Sequence, residues 1–142
     1  MSNIYYSSNY GYTWKVYPCP ILQGEASTGP FSIAFLDEKN GLAVGGNYMK
    51  DKENTNNVLI TKNGGKKWQK PVKAVLGYRS AVEYLDSQIC FATGSSGTDY
   101  SLDGGYTWTN ISTQNFNALQ KAKKGKLVLL TGNRGNIYQL VW

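Results

Sequence analysis

Short apolar runs alternate with polar, glycine-rich turns along the whole chain. The apolar runs at 42–44, 89–92 and 127–130 each have a Gly, Ser or Lys within two residues on either side. Short runs that contain β-branched and aromatic residues, and that stand between turn formers, predict β-strands. The chain holds 16 Gly and 11 Tyr but only 4 Pro, which favours the same interpretation. We therefore expect an all-β protein.

One octapeptide occurs three times, with the skeleton [Ser/Thr]-x-[Asp/Asn]-x-Gly-x-x-Trp. The Asp or Asn side chain can accept backbone N–H groups of a turn, Gly tolerates a positive φ, and Trp offers a large packing surface. The pattern thus predicts a stapled hairpin turn with a structural role. The positions that carry it are Ser7, Asn9, Gly11 and Trp14, then Thr61, Asn63, Gly65 and Trp68, then Ser101, Asp103, Gly105 and Trp108.

A second motif alternates with the octapeptide, and it consists of two short apolar strands joined by a polar turn. Together the motifs predict a repeat of four strands, at the 40–50-residue spacing of propeller blades. The three tryptophans are 54 and 40 residues apart (14 to 68, and 68 to 108), and the polar insertion 48–57 explains the longer interval. The predicted strands are 4–8 and 13–17, then 31–37, 41–47, 57–62 and 67–71, then 78–85, 88–94, 98–102 and 107–111, then 116–120, 126–132 and 136–141.

These strands predict blades of four antiparallel strands, about three blades plus partial blades, in a single partial β-propeller domain over residues 1–142. The chain begins within one blade and ends within another. The expected divisions are blade ends at 1–22, a blade at 23–73, a blade at 74–113 and an incomplete blade at 114–142. Propellers usually close with about four to eight blades, so one copy of this chain is not expected to close a ring.

The octapeptides resemble the Asp-box, or BNR, repeat of sialidases and their non-catalytic relatives. The combination of Gly-Leu-Ala-Val-Gly at 41–45 with Thr-Lys-Asn-Gly-Gly-Lys-Lys-Trp at 61–68 is more closely similar to photosystem II stability/assembly-factor-like propellers. That family includes bacterial members labelled oxidoreductases. The resemblance implies that the chain corresponds to the C-terminal part of a longer protein whose full-length relatives are exported. No strand–GxGxxG–helix unit supports an oxidoreductase here.

In Asp-box propellers the boxes lie on the face opposite the ligand-binding loops. The resemblance therefore assigns loops 24–32, 77–80, 114–117, 45–56, 94–100 and 132–135 to the ligand face. Both arginines of the chain fall in this set, and Arg is suited to bidentate capture of a carboxylate or phosphate. A small anionic site and plain hydrogen bonding of Arg to loop carbonyls are the two alternatives. The candidate ligand-face residues are Arg79, Arg134, Glu25, Tyr48, Asp99 and Tyr100.

Composition argues against a complete enzyme site. Sialidase catalysis needs three arginines, a Tyr nucleophile paired with Glu and an acidic donor, whereas this chain has two arginines. The chain has no His, which excludes Ser-His and Cys-His nucleophiles and His-based metal sites. We expect no catalytic residues, no cofactor and no metal, and a binding scaffold for a protein, peptide or glycan. The alternative is a remnant or half of a sialidase-like glycoside hydrolase.

The net charge of +6 invites a nucleic-acid interpretation, but the lysines stand mostly beside turns, where they keep strand edges soluble. The aromatic residues follow the strand alternation instead of forming a basic, aromatic stripe, so we expect no nucleic-acid binding. No apolar run is long enough to cross a membrane, and the first residues lack a signal-peptide pattern. Cys19 and Cys90 stand in unlike settings, so a disulfide is not expected.

The incomplete blades at both ends predict exposed strand edges that recruit another chain. We expect a homodimer in which the N-terminal strands of each copy complete the last blade of the other, closing a ring. The competing expectation is that a separate N-terminal half completes the ring.

Overall fold

A computed structural model of the chain, which describes residues 2–142, has twelve β-strands in four antiparallel sheets within that range. A 3-10 turn, Asn133–Gly135, joins the last two strands. The strands are β1 (Asn3–Tyr6), β2 (Lys15–Pro18), β3 (Thr28–Phe35), β4 (Gly41–Asn47), β5 (Val58–Thr61), β6 (Ala81–Tyr84), β7 (Cys90–Gly94), β8 (Gly97–Ser101), β9 (Thr109–Ser112), β10 (Phe116–Lys121), β11 (Val128–Gly132) and β12 (Ile137–Leu140). The expectation of an all-β chain of antiparallel propeller blades is confirmed.

The sheets follow the chain in order, each strand pairing with its sequence neighbour. The orders are β1-β2, β3-β4-β5, β6-β7-β8-β9 and β10-β11-β12. We call them the first hairpin, the second sheet, the third sheet and the last sheet. Such meandering sheets, packed side by side, are the building unit of propellers.

The fourth strand expected at 67–71 is reduced to one bridge. Ile60 and Gln69 exchange backbone hydrogen bonds of 2.8 and 2.9 Å, but the pairing does not continue. Pro71 has no N–H to donate, and the chain then turns to the neighbouring sheet. There the N–H of Val72 reaches the carbonyl of Tyr106 at 2.8 Å, and the N–H of Trp108 reaches that of Lys73 at 3.1 Å. The connector therefore joins the second sheet to the third.

The three octapeptides form the same turn. In each copy the hydroxyl of the first residue accepts the N–H of the Gly, at 2.7 Å for Gly11, 2.9 Å for Gly65 and 2.9 Å for Gly105. The carboxamide or carboxylate of the third residue accepts the N–H of the seventh, at 2.9 Å for Thr13, 2.8 Å for Lys67 and 2.8 Å for Thr107. Each turn satisfies its own backbone donors, as the pattern predicts.

Adjacent sheets bury apolar side chains between them. One core lies between the second and third sheets and contains Leu42, Val44, Ile60 and Cys90 with Trp108. A second core joins the third and last sheets, and a third joins the first hairpin to the second sheet.

The three octapeptide tryptophans occupy equivalent places but differ in exposure. Trp108 is 1% exposed, Trp68 is partly buried, and Trp14 is 58% exposed. The indole N–H of Trp108 also donates to the carbonyl of Gly105 at 2.8 Å. The difference follows the neighbours, because Trp68 and Trp108 each rest on a preceding sheet of the chain, as the buried clusters show.

Candidate functional site

Three aromatic rings, one on β3 and two on loops, form a cluster at the sheet ends opposite the octapeptide turns. Phe31 lies edge-on to Tyr78, with ring centroids 5.0 Å apart, and to Tyr48 at 6.0 Å. Tyr48 and Tyr78 are 6.4 Å apart. Edge-to-face pairs at these distances are mutually stabilising. We call Phe31, Tyr48 and Tyr78 the aromatic cluster, which spans the second and third sheets.

A β-bulge places Phe31 in this cluster. The pairing of β3 with β4 runs Pro30 to Gly45 and then Ser32 to Val44, so Phe31 has no partner opposite it. A bulge interrupts the alternation of a strand and re-aims one side chain, often next to a functional site. The ring of Phe31 is 43% exposed even though it contacts two tyrosines. Phe31 therefore offers a surface to solvent instead of filling a core.

A polar clamp holds the loop that carries Tyr48. The side-chain amide Nδ2 of the buried Asn47 donates to the carboxylate of Glu25 at 3.0 Å. The side-chain oxygen Oδ1 of Asn47 accepts the N–H of Met49 at 2.9 Å. Glu25 also pairs with the ammonium of Lys50 at 2.9 Å. The hydrogen bond from Lys50 lowers the pKa of Glu25, with a further contribution from Asn47. The clamp fixes the backbone, and Tyr48 and Met49 project from it with 48% and 74% of their surfaces exposed.

Tyr78, the third residue of the cluster, is held in place by a backbone hydrogen bond and by burial. Its N–H donates to the carbonyl of Asp51 at 2.8 Å, which ties the third sheet to the polar insertion of the second. Tyr78 is 8% exposed, and burial raises the pKa of its hydroxyl, with Tyr48 adding to that rise. Tyr78 is therefore the buried member of the cluster, and Phe31 and Tyr48 are the two members that are exposed to solvent.

Arg79 does not lie on an open surface, which corrects the expectation of a ligand-accessible arginine. Its side chain is fully buried, and its Nε donates to the carboxylate of Asp99 at 2.6 Å while Nη2 contacts the same oxygen. Nη1 donates to the carbonyl of Tyr78 and to the hydroxyl of Ser96, both at 2.8 Å. Burial lowers the pKa of the guanidinium, and the charge of Asp99 opposes that fall. Asp99 is 1% exposed, so neither residue is open to a ligand.

The other two candidates lie apart from the aromatic cluster. Tyr100 packs on Phe91 at 6.1 Å and lines an apolar groove of about 320 Å³ with Ile111 and Trp142, on the side of the last sheet. Arg134 is exposed in the 3-10 turn and has a left-handed φ of 60°. The structure thus groups Glu25 and Tyr48, buries Arg79 with Asp99, and leaves Tyr100 and Arg134 elsewhere.

Asn57 supports the site in a way that the sequence did not indicate. This side chain is fully buried, and its Nδ2 donates to the carbonyls of Gly77 at 2.6 Å and Val75 at 3.3 Å. It thereby holds the segment that leads into Tyr78 against the second sheet. Among residues 2–142 its Oδ1 has no hydrogen-bond partner. An Asn in a polar insertion resembles any other loop residue, so only its long-range contacts reveal this role.

Other chemistry-bearing groups have structural roles. Both cysteines are free and buried, and burial raises the pKa of Cys90 to about 12, so its thiol is protonated near neutral pH. Asn110, in the sequon-like triplet 110–112, donates its amide to the carbonyl of Thr98 at 3.1 Å. Over residues 2–142 we find no cluster of acidic, Cys or His side chains that could hold a metal ion. That range also contains no helix with the length and hydropathy to span a membrane.

The groove on the octapeptide side is larger, about 830 Å³, and it lies between Tyr6 and Phe35 with charged side chains at its rim. Two carboxylates, Asp37 and Glu38, line this groove. Asp37 is already used within its own turn, where it accepts the N–H groups of Lys39 at 2.7 Å and Asn40 at 2.8 Å. The bonds from Asn40 and then Lys39 lower the pKa of Asp37. Asp37 therefore has a role in its turn, and the aromatic cluster, with exposed rings on a buried tyrosine, is the stronger candidate site.

Comparisons with known proteins support the fold. No family model matches the sequence, and no curated protein matches it. Among solved structures, the chain is similar to "YCF48 bound to D1 peptide", with a TM-score of 0.61 and 17% sequence identity. The match covers 86% of this chain and 43% of that one, so the chain spans less than half the length of this structural neighbour. At this identity the likeness concerns the fold alone, and the chain is a partial β-propeller.

Proposed function

We propose that the chain is a non-catalytic propeller module that binds a protein or peptide segment on its loop face, with the aromatic cluster as the contact. The observation that carries this proposal is the pair of exposed rings, Phe31 and Tyr48, held edge-on over the buried Tyr78. Exposed aromatic side chains on a rigid base are typical of the residues that dominate protein–protein binding energy.

The rigidity of the base supports the same proposal. The buried Arg79–Asp99 pair and the Asn57 bonds hold the segment that carries Tyr78, and the Asn47–Glu25 clamp holds the loop that carries Tyr48. A site whose backbone is fixed before binding loses less conformational entropy when a partner binds. In this proposal Arg79, Asp99 and Asn57 act as positioning residues, and Phe31, Tyr48 and Met49 contact the partner.

The structural neighbour adds one independent element of support, since YCF48 is a propeller that was solved bound to a D1 peptide. We further propose that the octapeptide turns are Asp-box repeats and that the chain corresponds to the C-terminal part of a photosystem II assembly-factor-like propeller. The shared turn geometry of the three copies supports this assignment.

The experiment is a selection from a phage-displayed library of random peptides on the immobilised chain, followed by calorimetry with the selected peptides. The D1 peptide and its scrambled version are measured in parallel. We expect the selected peptides to lose about tenfold or more in affinity for Phe31→Ala and Tyr48→Ala, as truncation of a binding hot spot does. Leu76→Ala, at an apolar residue that is 55% exposed and lies outside the cluster, is the control.

Selected peptides that bind Phe31→Ala, Tyr48→Ala and the parent chain equally would contradict the proposed site. Failure to select any peptide would contradict the function itself.

A further inference from the structure

The fold gathers the octapeptide turns and the turns after the first strands at one end of the sheets. In the second sheet the N–H of Gly64, in the octapeptide turn, donates to the carbonyl of Lys39, in the turn after β3, at 2.9 Å. The Nζ of Lys62 lies 5.1 Å from the ring centroid of Tyr106, which brings the octapeptide turns of the second and third sheets together. Tyr6, which leads into the first octapeptide turn, lines one groove with Lys39 and Lys62.

The turn of the last sheet lies at the same end. The hydroxyl of Ser80 donates to the carbonyl of Asn117 at 2.8 Å, which joins the starts of β6 and β10. Near the opposite ends of these strands, burial raises the pKa of Glu83, and the charge of Lys121 opposes that rise. Because β6 and β10 run side by side in one direction, the turns that follow them emerge on one side of the molecule.

This side holds most of the net charge of the chain. We call these turns, with the strand residues that border them, the turn face. It carries nine of the 15 basic residues and four of the nine acidic ones, so its net charge is +5 of the total of +6. The loops assigned to the ligand face carry four basic and four acidic residues and are neutral. The turn face comprises residues 7–15, 36–40, 61–68, 85–89, 101–108 and 121–127.

Most lysines of the turn face form two clusters that flank the third sheet. One cluster is Lys39, Lys62, Lys66 and Lys67 in the second sheet, all exposed. The other is Lys121, Lys123, Lys124 and Lys126 in the last sheet, where only Lys121 is half-buried. The turns of the third sheet contain no lysine. Neighbouring sheets pack about 10 Å apart, so the two lysine clusters are about 20 Å apart.

The carboxylates of the turn face bind backbone groups more than lysines. Asp37 and Asp103 accept N–H groups of their own turns. Asp86 does the same with the N–H groups of Gln88 at 2.8 Å and Ile89 at 2.7 Å. Within residues 2–142 the ion pairs that we find lie outside this face. The ammonium groups of the two clusters are therefore available to anions of a partner.

We propose that the turn face docks on the surface of an anionic lipid membrane, without insertion of a strand. Charge complementarity carries the proposal, since each lysine near an anionic bilayer strengthens binding about fivefold. Two clusters separated by acidic turns fit a broad surface whose lipids can move to meet each cluster. A nucleic-acid duplex is recognised by a continuous basic stripe, with Arg making the commonest specific base contacts. The turn face has no such stripe across the third sheet and contains no Arg.

Docking of this kind would give the two faces separate tasks. The loops that carry the aromatic cluster lie at the opposite ends of the sheets, so they would point away from the lipid. A partner could then reach Phe31 and Tyr48 while the chain is held at the membrane.

The experiment measures sedimentation of the 142-residue chain with vesicles of phosphatidylcholine that contain about 30% phosphatidylglycerol, at about 50 mM NaCl. We expect the chain to bind these vesicles and to bind pure phosphatidylcholine vesicles at least about tenfold more weakly. Raising NaCl to about 0.5 M should release the chain, because salt screens exposed charges.

Two double variants with the same net charge separate the faces. Lys66→Gln with Lys124→Gln removes one exposed charge from each cluster and should weaken vesicle binding about 25-fold, at about fivefold per lysine. Lys52→Gln with Arg134→Gln removes two exposed charges from the loop face, and its binding should stay within about twofold of the parent chain. Circular dichroism checks that both variants fold.

Equal weakening by the two double variants would overturn the proposal, because net charge alone would then explain the binding. A parent chain that does not sediment with the phosphatidylglycerol vesicles at low salt would overturn it too. A DNA duplex bound more tightly than the vesicles at the same salt would assign the face to nucleic acid instead. None of these outcomes depends on peptide binding at the aromatic cluster.

Discussion

The carboxylate of Asp99 accepts two bonds from the guanidinium of Arg79 in the interior of the third sheet, although the residues are twenty positions apart in sequence. Both are almost fully buried, and the remaining guanidinium donors reach Tyr78 and Ser96. The pair joins the loop that carries Tyr78 to the middle of β8. The pair therefore fixes the backbone around Tyr78, and we expect its substitution to lower stability.

Arg79→Ala is expected to lower the free energy of unfolding by about 3–5 kcal/mol, because it leaves a buried carboxylate without its partner. Replacing both members, in Arg79→Met with Asp99→Leu, should cost less than Arg79→Ala alone. Urea denaturation measures the free energy of unfolding of the parent chain, of Arg79→Ala and of the double variant. Arg134→Ala, at an exposed arginine, is the control and should stay within about 0.5 kcal/mol of the parent chain. Equal effects at the two arginines would contradict the buried pair.

Asp103→Ala is expected to lower the free energy of unfolding by about 1–3 kcal/mol, because the turn loses the acceptor of the Thr107 N–H. Asp103→Asn should cost much less, since Asn9 and Asn63 carry out the same task in the other two turns. Chemical denaturation of both variants checks the difference. An Asn variant as unstable as the Ala variant would show that the charge, not the acceptor, matters.

The same residue predicts a pH dependence. Burial raises the pKa of Asp103, but the bonds from Ser101 and from Thr107 outweigh it, and the net pKa lies below the ordinary value. A carboxylate with a lowered pKa contributes stability above its ordinary pKa and loses that contribution as pH falls through the lowered value. The parent chain should therefore lose more stability than Asp103→Asn below about pH 4. Parallel slopes for thermal unfolding against pH would contradict this expectation.

Gly105→Ala is expected to be more destabilising than Gly125→Ala. Both glycines have a left-handed φ, 98° and 80°, so each substitution carries the backbone cost of about 1–2 kcal/mol for a side chain in that region. The added Cβ at Gly105 would also meet Leu42, whereas that at Gly125 would have no heavy atom within 4 Å. Denaturation midpoints give the comparison, and similar losses at both positions would show that Gly105 and Leu42 are not in close contact.

The sequence predicts the octapeptide turns well because each is stabilised by hydrogen bonds within its own eight residues. Strand order follows for the same reason, since every strand pairs with a sequence neighbour. The site was harder to predict, because it depends on long-range relationships. Arg79 can be buried only because Asp99 pairs with it. The position of Phe31 depends on a β-bulge that the pattern of apolar and polar residues in β3 does not reveal. The loss of a fourth strand at 67–71 follows from the interaction of Val72 with Tyr106.

The connector after Gln69 has a consequence for how the molecule opens. In a chain of independent repeats, each unit can unfold while its neighbour remains folded. Here the segment that leaves the second sheet is hydrogen-bonded to the turn of the third, through Val72, Lys73 and their partners Tyr106 and Trp108. Opening either sheet breaks bonds that belong to both. The second and third sheets should thus exchange their amide hydrogens as one cooperative unit, while the two-stranded first hairpin frays ahead of them.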